Sequence, residues 1–471
     1  MTAVGDRRSP LLQKEARWKS EAMKYATFIF GGLLLAAVCG AADAPNAADI
    51  YRRAFEALPK LTEAENKLIR GQASDVNAAA LSQKLAPAMT LYRQAARLEN
   101  CDWGFDFEKT GFGTELPHLS SLMQLARAAK WEADRVKQSD PAAFAAWHDD
   151  VLRSSAHAGQ GDALICGLVA TAIRQRSVDA LCSNLTTLPP EVLAKLGQQL
   201  DGLPPLASFQ KMMLAEKAFG IDWFMRQLFE LQREQQAAAA ATNFATTLRL
   251  SAVVGGGPLG LKIGLEEQGG DNFWLGLGQR KRGIELVSAD VKKGQAILLK
   301  GDQAALVLLQ EKRIEPISLK LINAATRKLL GEEFSKDMLG GVGSNSTEFV
   351  KQMLEASDIM GAIAASAEAP VRDPEAWGEQ IESASTNNVF ARLLLPAIGP
   401  ARSRMDAMRA QEAMLRVALD VAREGPAAAA RSRDPWGEGA PFVCREVPGG
   451  YELVSQLRRK GENVTLRFPH R

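Results

Sequence analysis

Seven consecutive residues carry the densest chemistry in the chain: Asp102-Trp-Gly-Phe-Asp106-Phe-Glu108, three acids interleaved with three aromatics. Paired carboxylates beside aromatic rings suit glycoside hydrolysis, in which one carboxyl donates a proton and the other acts as base or nucleophile. Cys101 precedes the stretch and His118 follows it, so an acid–imidazole grouping is the second chemistry it allows. The plainer use of such a loop is packing: the rings plug the end of a helical layer and the acids stay in water. Packing is the reading we take from the sequence. Asp102, Trp103, Asp106, Glu108 and His118 are then the residues to locate as a ligand or partner loop.

Gly255-Gly-Gly257-Pro-Leu-Gly260 satisfies the G-x-G-x-x-G spacing of dinucleotide sites and follows an apolar run, Leu248–Val254. In such sites the glycines admit a pyrophosphate to backbone amides at a helix start. Here the next residues, Leu259-Gly-Leu-Lys-Ile-Gly264, read as strand. The ribose-binding acid expected about 20 residues on is replaced by Gly276-Leu-Gly-Gln-Arg-Lys-Arg282. A glycine-rich hairpin turn is the expectation, and no cofactor is assigned. The four histidines are 118, 148, 157 and 470. His148 and His157 differ by nine positions, about 180° around a helix, so they face opposite ways and do not share a metal. No H-E-x-x-H, C-x-x-C, EF-hand or G-x-S-x-G spacing occurs, so no catalytic or metal-ligating residue is assigned. Arg280-Lys-Arg282 and Arg458-Arg-Lys460 fall on turns, where solvation is the default and anionic headgroups the alternative.

These residues are carried by a mainly α chain with small β modules. From 47 to 235 apolar residues recur at helical steps, as in Leu81, Leu85, Ala88, Tyr92, Ala95 and in Leu119, Leu122, Ala126, Ala129, Ala133. Asp140-Pro141 is a helix start, Gly159-Gln-Gly161 a break with Asp162 capping the next helix, and Leu188-Pro-Pro a further break. Antiparallel helical pairs in a short solenoid or irregular bundle follow from this. Between 245 and 312 short Val/Ile/Leu-rich runs predict about six strands in a small barrel or sandwich. Helices return over 317–425 around a flexible loop at 340–346, and 432–471 reads as a C-terminal β meander.

Near the N-terminus, Tyr25–Val38 is uncharged, Lys24 precedes it, and Gly40, Ala41, Ala42 and Ala44 follow. That order is a secretory signal with small-residue cleavage sites. Residues 1–22 are polar and basic, and a start at Met23 makes the signal ordinary; an uncleaved anchor is the alternative for a start at Met1. Cys39 lacks the small preceding residue of a lipobox. Removing residues 1–42 leaves 51 basic and 52 acidic residues of the 57 and 55 in the full chain. The balance is near neutral, which points to no nucleic-acid or other polyanionic partner. Cys101, Cys166, Cys182 and Cys444 then remain. Cys166 with Cys182 is the disulfide expected in an oxidising compartment, and four buried thiols the alternative.

Two segments resemble secretion-system components. Residues 284–310, a strand–turn–strand pattern around Asp290-Val-Lys-Lys-Gly294 and Lys300-Gly-Asp302, resemble the periplasmic β domain of the type II secretion clamp protein, within about 247–310. Residues 434–455, from Asp434-Pro-Trp-Gly437 to Gly449-Gly-Tyr-Glu-Leu-Val-Ser455, resemble the C-terminal region of pseudopilins, with the helix before them, within about 398–455. Gln456-Leu-Arg-Arg-Lys460 replaces the acid- and glycine-rich loop of pseudopilins, so calcium binding is not implied. The helical region is similar to uncharacterised exported proteins of bacteria with elaborate envelopes. The resemblances imply partner binding. The expectation is a periplasmic or membrane-anchored scaffold binding other envelope proteins, linked to a secretion or pilus-like system and touching membrane only through its N-terminal segment. The alternative is an envelope glycan or peptide hydrolase using the 102–108 acids.

Overall fold

The structure, a computed structural model, describes residues 45–470 except 73–74, 228–242, 256–260, 291–293, 318–345 and 386. The expected signal at Tyr25–Val38, Met23, Cys39, residues 318–345 of the expected helical region and most of the 340–346 loop therefore lie outside the described residues.

Helices Ala47–Ala57 (α1), Glu63–Ile69 (α2), Ala78–Ala96 (α3), Pro117–Val136 (α4), Pro141–Gly159 (α5), Leu164–Asn184 (α6), Pro190–Asp201 (α7) and Phe209–Glu216 (α8) come first. Their starts follow local chemistry. Asn77 accepts from the Ala79 and Ala80 amides, Thr62 and Glu65 form a reciprocal capping box, and Asp140 caps α5 ahead of Pro141. Asp162 does not cap α6. It sits at φ 55, Ala163 takes the N-cap position, and the Asp162 carboxylate pairs with Lys211 instead.

Eight strands follow. Leu248–Val254 (β1), Lys262–Glu267 (β2) and Asn272–Gly276 (β3) form one antiparallel sheet in the order β1-β2-β3. Arg280–Lys281 (β4), Ile284–Asp290 (β5), Gln295–Lys300 (β6), Gln303–Leu308 (β7) and Arg313–Ile317 (β8) form a second, in chain order. Neither sheet closes into a barrel. Ser346–Ser366 (α9), Pro374–Ala384 (α10) and Ile398–Glu424 (α11) lead to a third sheet, with Gly450–Arg459 between Val443–Val447 and Glu462–Pro469. The last hairpin turns through Lys460 (φ 53) and Gly461 (φ 77), the left-handed pair that suits a two-residue turn. The fold is thus mixed α+β.

The described residues from Ala47 on form one compact unit. One core runs from α1 through α7, takes in Met408, Met414, Leu415 and Ala418 of α11, and ends on Leu453, Leu457, Leu466 and Phe468 of the last sheet. The C-terminal meander is therefore a cover on the first helices. The second sheet is buried on both faces. Leu286, Leu298 and Val307 meet the first sheet, while Ile297, Leu299 and Leu306 meet α8, α9 and the start of α11. Helix α10 reaches α11 closely because Gly378 faces Gly399; a Cβ on Gly378 would lie 2.5 Å from Gly399 Cα.

Buried charge ties the elements together. Arg174 of α6, 1% exposed, donates to Glu412 of α11 (2.7 Å), to Ser155 Oγ, and to the Leu152 and Pro204 carbonyls. Asp434 begins the Asp-Pro-Trp-Gly turn. It is 2% exposed and accepts from the Trp436 amide (3.0 Å), Ser455 Oγ (3.0 Å) and the Gln456 amide (2.6 Å). It pins that turn to the central strand where the pairing register shifts. Asp434→Ala should cost about 2 kcal/mol, because donors buried with it lose their acceptor. Urea unfolding measures this, and a change under about 0.5 kcal/mol contradicts the clamp.

Candidate functional site

Residues 97–116 connect α3 to α4, and His118 stands in the first turn of α4. Asp102 Oδ1 accepts from the Gly104 amide at 2.8 Å, a local turn that Gly104 completes at φ 71. Asp106 Oδ1 accepts from the Lys109 amide at 3.0 Å and starts the short helix Phe107–Thr110. Both acids are exposed, and their backbone bonds hold the loop's shape. The Glu108 side chain lies outside the described residues.

The rings point inward. Trp103 is 5% exposed, and its indole N–H donates to the His157 carbonyl at 2.9 Å. It stacks on Tyr51 (5.8 Å) and Phe55 (6.3 Å), and Arg52 donates to its carbonyl at 2.7 Å. His118 lies against Trp103 at 4.3 Å and Phe105 at 4.8 Å. Burial, with help from the Arg52 charge, pulls its pKa down to about 4. The imidazole is therefore neutral at pH 7. Burial raises the Cys101 thiol to about 12. The loop thus seats aromatic rings and a neutral imidazole in the first core, with two carboxylates turned to backbone amides. Of the residues singled out in the sequence, Trp103 and His118 come together; the described carboxylates of Asp102 and Asp106 are tied up locally. Among the described side chains of this loop, neither Asp102 nor Asp106 pairs with the His118 imidazole.

The other two core histidines are also structural. His157 Nδ1 meets the Tyr51 hydroxyl at 3.1 Å, and His148 Nδ1 meets Ser177 Oγ at 3.0 Å. Burial lowers them to about 4 and about 3. They sit on one helix and face different neighbours. Among the described residues no three His, Cys, Asp or Glu side chains gather as a metal site.

Cys166 and Cys182 are not a disulfide. Both lie on α6, sixteen positions apart on an unbroken helix, and both are buried free thiols. At 1.5 Å rise per residue their Cα atoms are roughly 24 Å apart, and a bridge needs less than about 7 Å. The glycine motif falls in a hairpin: Val254 pairs with Lys262 across the connection, and β1 and β2 are antiparallel. A dinucleotide site needs a crossover helix and parallel strands at that point. Residues 256–260 themselves lie outside the described residues. Arg282 is bound to Glu267 and Asp271, each at 2.8 Å, while Arg280 and Lys281 are exposed.

A surface the sequence reading missed lies beside that hairpin. Seven large apolar side chains are exposed among the described residues, and four of them, Val253, Val254, Trp274 and Leu277, belong to the first sheet and its outgoing turn. Val254, Lys262 and Gly276 share one row across the sheet, and Ala252, Gly264 and Trp274 another. Small neighbours leave the Trp274 ring standing over a flat surface, 42% exposed. Val254 and Trp274 thus share the outer face with exposed Lys262, whereas Val253 pairs with Ile263 and Leu275 on the buried face; Arg280 and Lys281, on the next strand, are exposed as well. The signal was present in Phe273-Trp274-Leu275, which is apolar on both faces of a strand where one face meets solvent.

Comparison with protein-family models, with curated proteins and with solved structures gave no match for this chain. Among the described residues no helix is long and apolar enough to cross a membrane.

Proposed function

We propose that this chain is an exported envelope protein that works by binding other envelope proteins. The first sheet is its docking face and the helical layers are its rigid frame. The observation that carries the reading is the pair of exposed apolar side chains Val254 and Trp274, which the strand register places on the same outer face of the first sheet, beside exposed Lys262. Aromatic and aliphatic side chains exposed together are the usual centre of a binding surface, and the rim charges set orientation. The partner that fits is a protein segment with an apolar centre and acidic flanks. The structural use of Asp102, Asp106 and His118 supports binding over hydrolysis.

The same sheet lies within the segment that resembles the secretion clamp protein, and the Asp434 turn within the one that resembles pseudopilins. On this reading the partner belongs to a secretion or pilus-like assembly, and the chain faces the periplasm, cleaved or anchored. The test is crosslinking and recovery from envelope fractions with wild-type protein and a Val254→Ala/Trp274→Ala variant. The variant should lose at least about tenfold in recovered partner, while its unfolding free energy stays within about 1 kcal/mol because both side chains are already exposed. Equal recovery from both proteins overturns the proposal.

A further inference from the structure

A wide groove lies on the helical layer, away from every residue that the docking face uses. It encloses about 750 Å³, within the size range of small-ligand sites. Arg127, Lys130, Trp131 and Asp134 enter it from α4 at positions i, i+3, i+4 and i+7, a single stripe of that helix. Arg176 enters from α6, and Ile69 and Arg70 from the end of α2. Asp134 is the one acid in the lining and is paired with Lys130 at 2.6 Å. Arg70, Arg127 and Arg176 make no ion pair among the described residues. Trp131, 8% exposed, and Ile69 give the wall an apolar part.

Helix packing thus brings three guanidinium groups to one groove whose single acid is already paired with Lys130. Burial lowers the Arg176 pKa, and the like charge of Arg127 lowers it further. An anion placed between them relieves that repulsion. Guanidinium forks match phosphate oxygens two at a time, which a lysine-lined groove would not do.

The geometry points to a binding site for a phosphate ester with an apolar body, its phosphate on Arg127 and Arg176 with Arg70 at the mouth, and its body against Trp131 and Ile69. A free organic phosphate and a phospholipid headgroup share this chemistry, and the site is independent of the protein-docking face.

The test uses full-length protein, phenyl phosphate in calorimetric titration, and flotation with vesicles of phosphatidylglycerol or of phosphatidylcholine alone. Wild-type protein should bind phenyl phosphate saturably, or float with phosphatidylglycerol and not with phosphatidylcholine. The first result identifies a soluble ester and the second a headgroup. Arg127→Gln/Arg176→Gln should weaken that binding at least tenfold and leave the melting temperature unchanged or higher, since a repulsive pair is removed. Asp134→Asn frees Lys130 and should tighten binding about threefold, the scale of one exposed ion pair; a purely structural stripe would not respond this way. Arg459→Gln, a control on the last sheet, should leave binding unchanged. Absence of both kinds of binding in the wild type, or undiminished binding by the double arginine variant, overturns the assignment.

Discussion

Trp103→Ala should lower the unfolding free energy by about 3–5 kcal/mol, the range for truncating a large buried aromatic. The indole fills the space between Tyr51, Phe55 and His118, and its N–H satisfies the His157 carbonyl. Removing it opens a cavity, leaves that carbonyl with only the Gln160 amide as donor, and lets water reach His118. A second readout follows from the last effect. With His118 hydrated, its pKa returns toward the ordinary value, so the variant should lose stability less steeply on acidification than the wild type. Asp102→Asn and Asp106→Asn should each stay within about 0.5 kcal/mol, because Asn accepts the same backbone bonds as Asp at turns and caps. Urea unfolding of the three variants separates a packing loop from a catalytic one. A Trp103→Ala change below about 1 kcal/mol contradicts the account of this loop.

Acid should destabilise the protein well above the carboxylate range. His118, His148 and His157 are held to about 4, 3 and 4 by burial, so the folded state keeps them neutral. In the unfolded chain each titrates near 6.5. Folded values below unfolded ones mean that the stabilisation is complete above pH 6.5 and is lost as pH falls toward 4 and 3. Each histidine contributes a slope of roughly 1.4 kcal/mol per pH unit within that window. Asp149, Glu216 and Asp406 work against this, because burial raises their pKa values and the folded state gains protons on them as pH falls. A paired comparison removes their contribution. Between pH 6 and 5 the wild type should take up about one more proton on unfolding than His148→Asn, measured from urea unfolding at several pH values. Identical slopes contradict a buried neutral His148. The variant forfeits the packing of the His148 ring against Phe144, 4.6 Å away, so its stability at pH 7 falls, but the slope reads titration alone.

Local chemistry made much of the fold legible. Asp140-Pro141 starts a helix, Pro189-Pro190 starts another, and the last hairpin turns near Lys460, as the residues imply. The apolar run Leu248–Val254 and the strand-like residues 259–264 imply a hairpin turn at the glycine motif, and Leu248–Val254 does pair antiparallel with Lys262–Glu267 across that connection. What the pattern did not carry was the identity of partners. The apolar face of 398–424 shows that the helix is buried, not that its later part lies on α6 and its first turns on the second core. The contiguous runs Ala296–Leu299 and Ala304–Leu308 did hold the clue that the second sheet is covered on both faces. The Cys166–Cys182 expectation failed for a legible reason: between them the only Gly or Pro is Gly167, beside Cys166 itself, and the helix runs unbroken from Leu164 to Asn184.

The candidate sites divide in the same way. The 102–108 loop was conspicuous by composition, but composition does not tell an acid aimed at a substrate from one aimed at a backbone amide three residues on. Trp274 was hidden because a tryptophan in a strand normally counts toward the core. Only the strand register, which places it opposite Gly264 on the outer face, exposes it. Arg127 and Arg176 are ordinary solvated arginines on their own helices, and it is helix packing that brings them to one groove.

Docking through the first sheet is tested most directly by a photo-activatable amino acid incorporated at position 274, with position 195 on the helical layer as comparison. In intact cells, position 274 should give one discrete crosslinked species containing an envelope protein, abolished by Val254→Ala, and position 195 should not give it. The same crosslinks from both positions, or none from position 274 in correctly folded protein, contradict it.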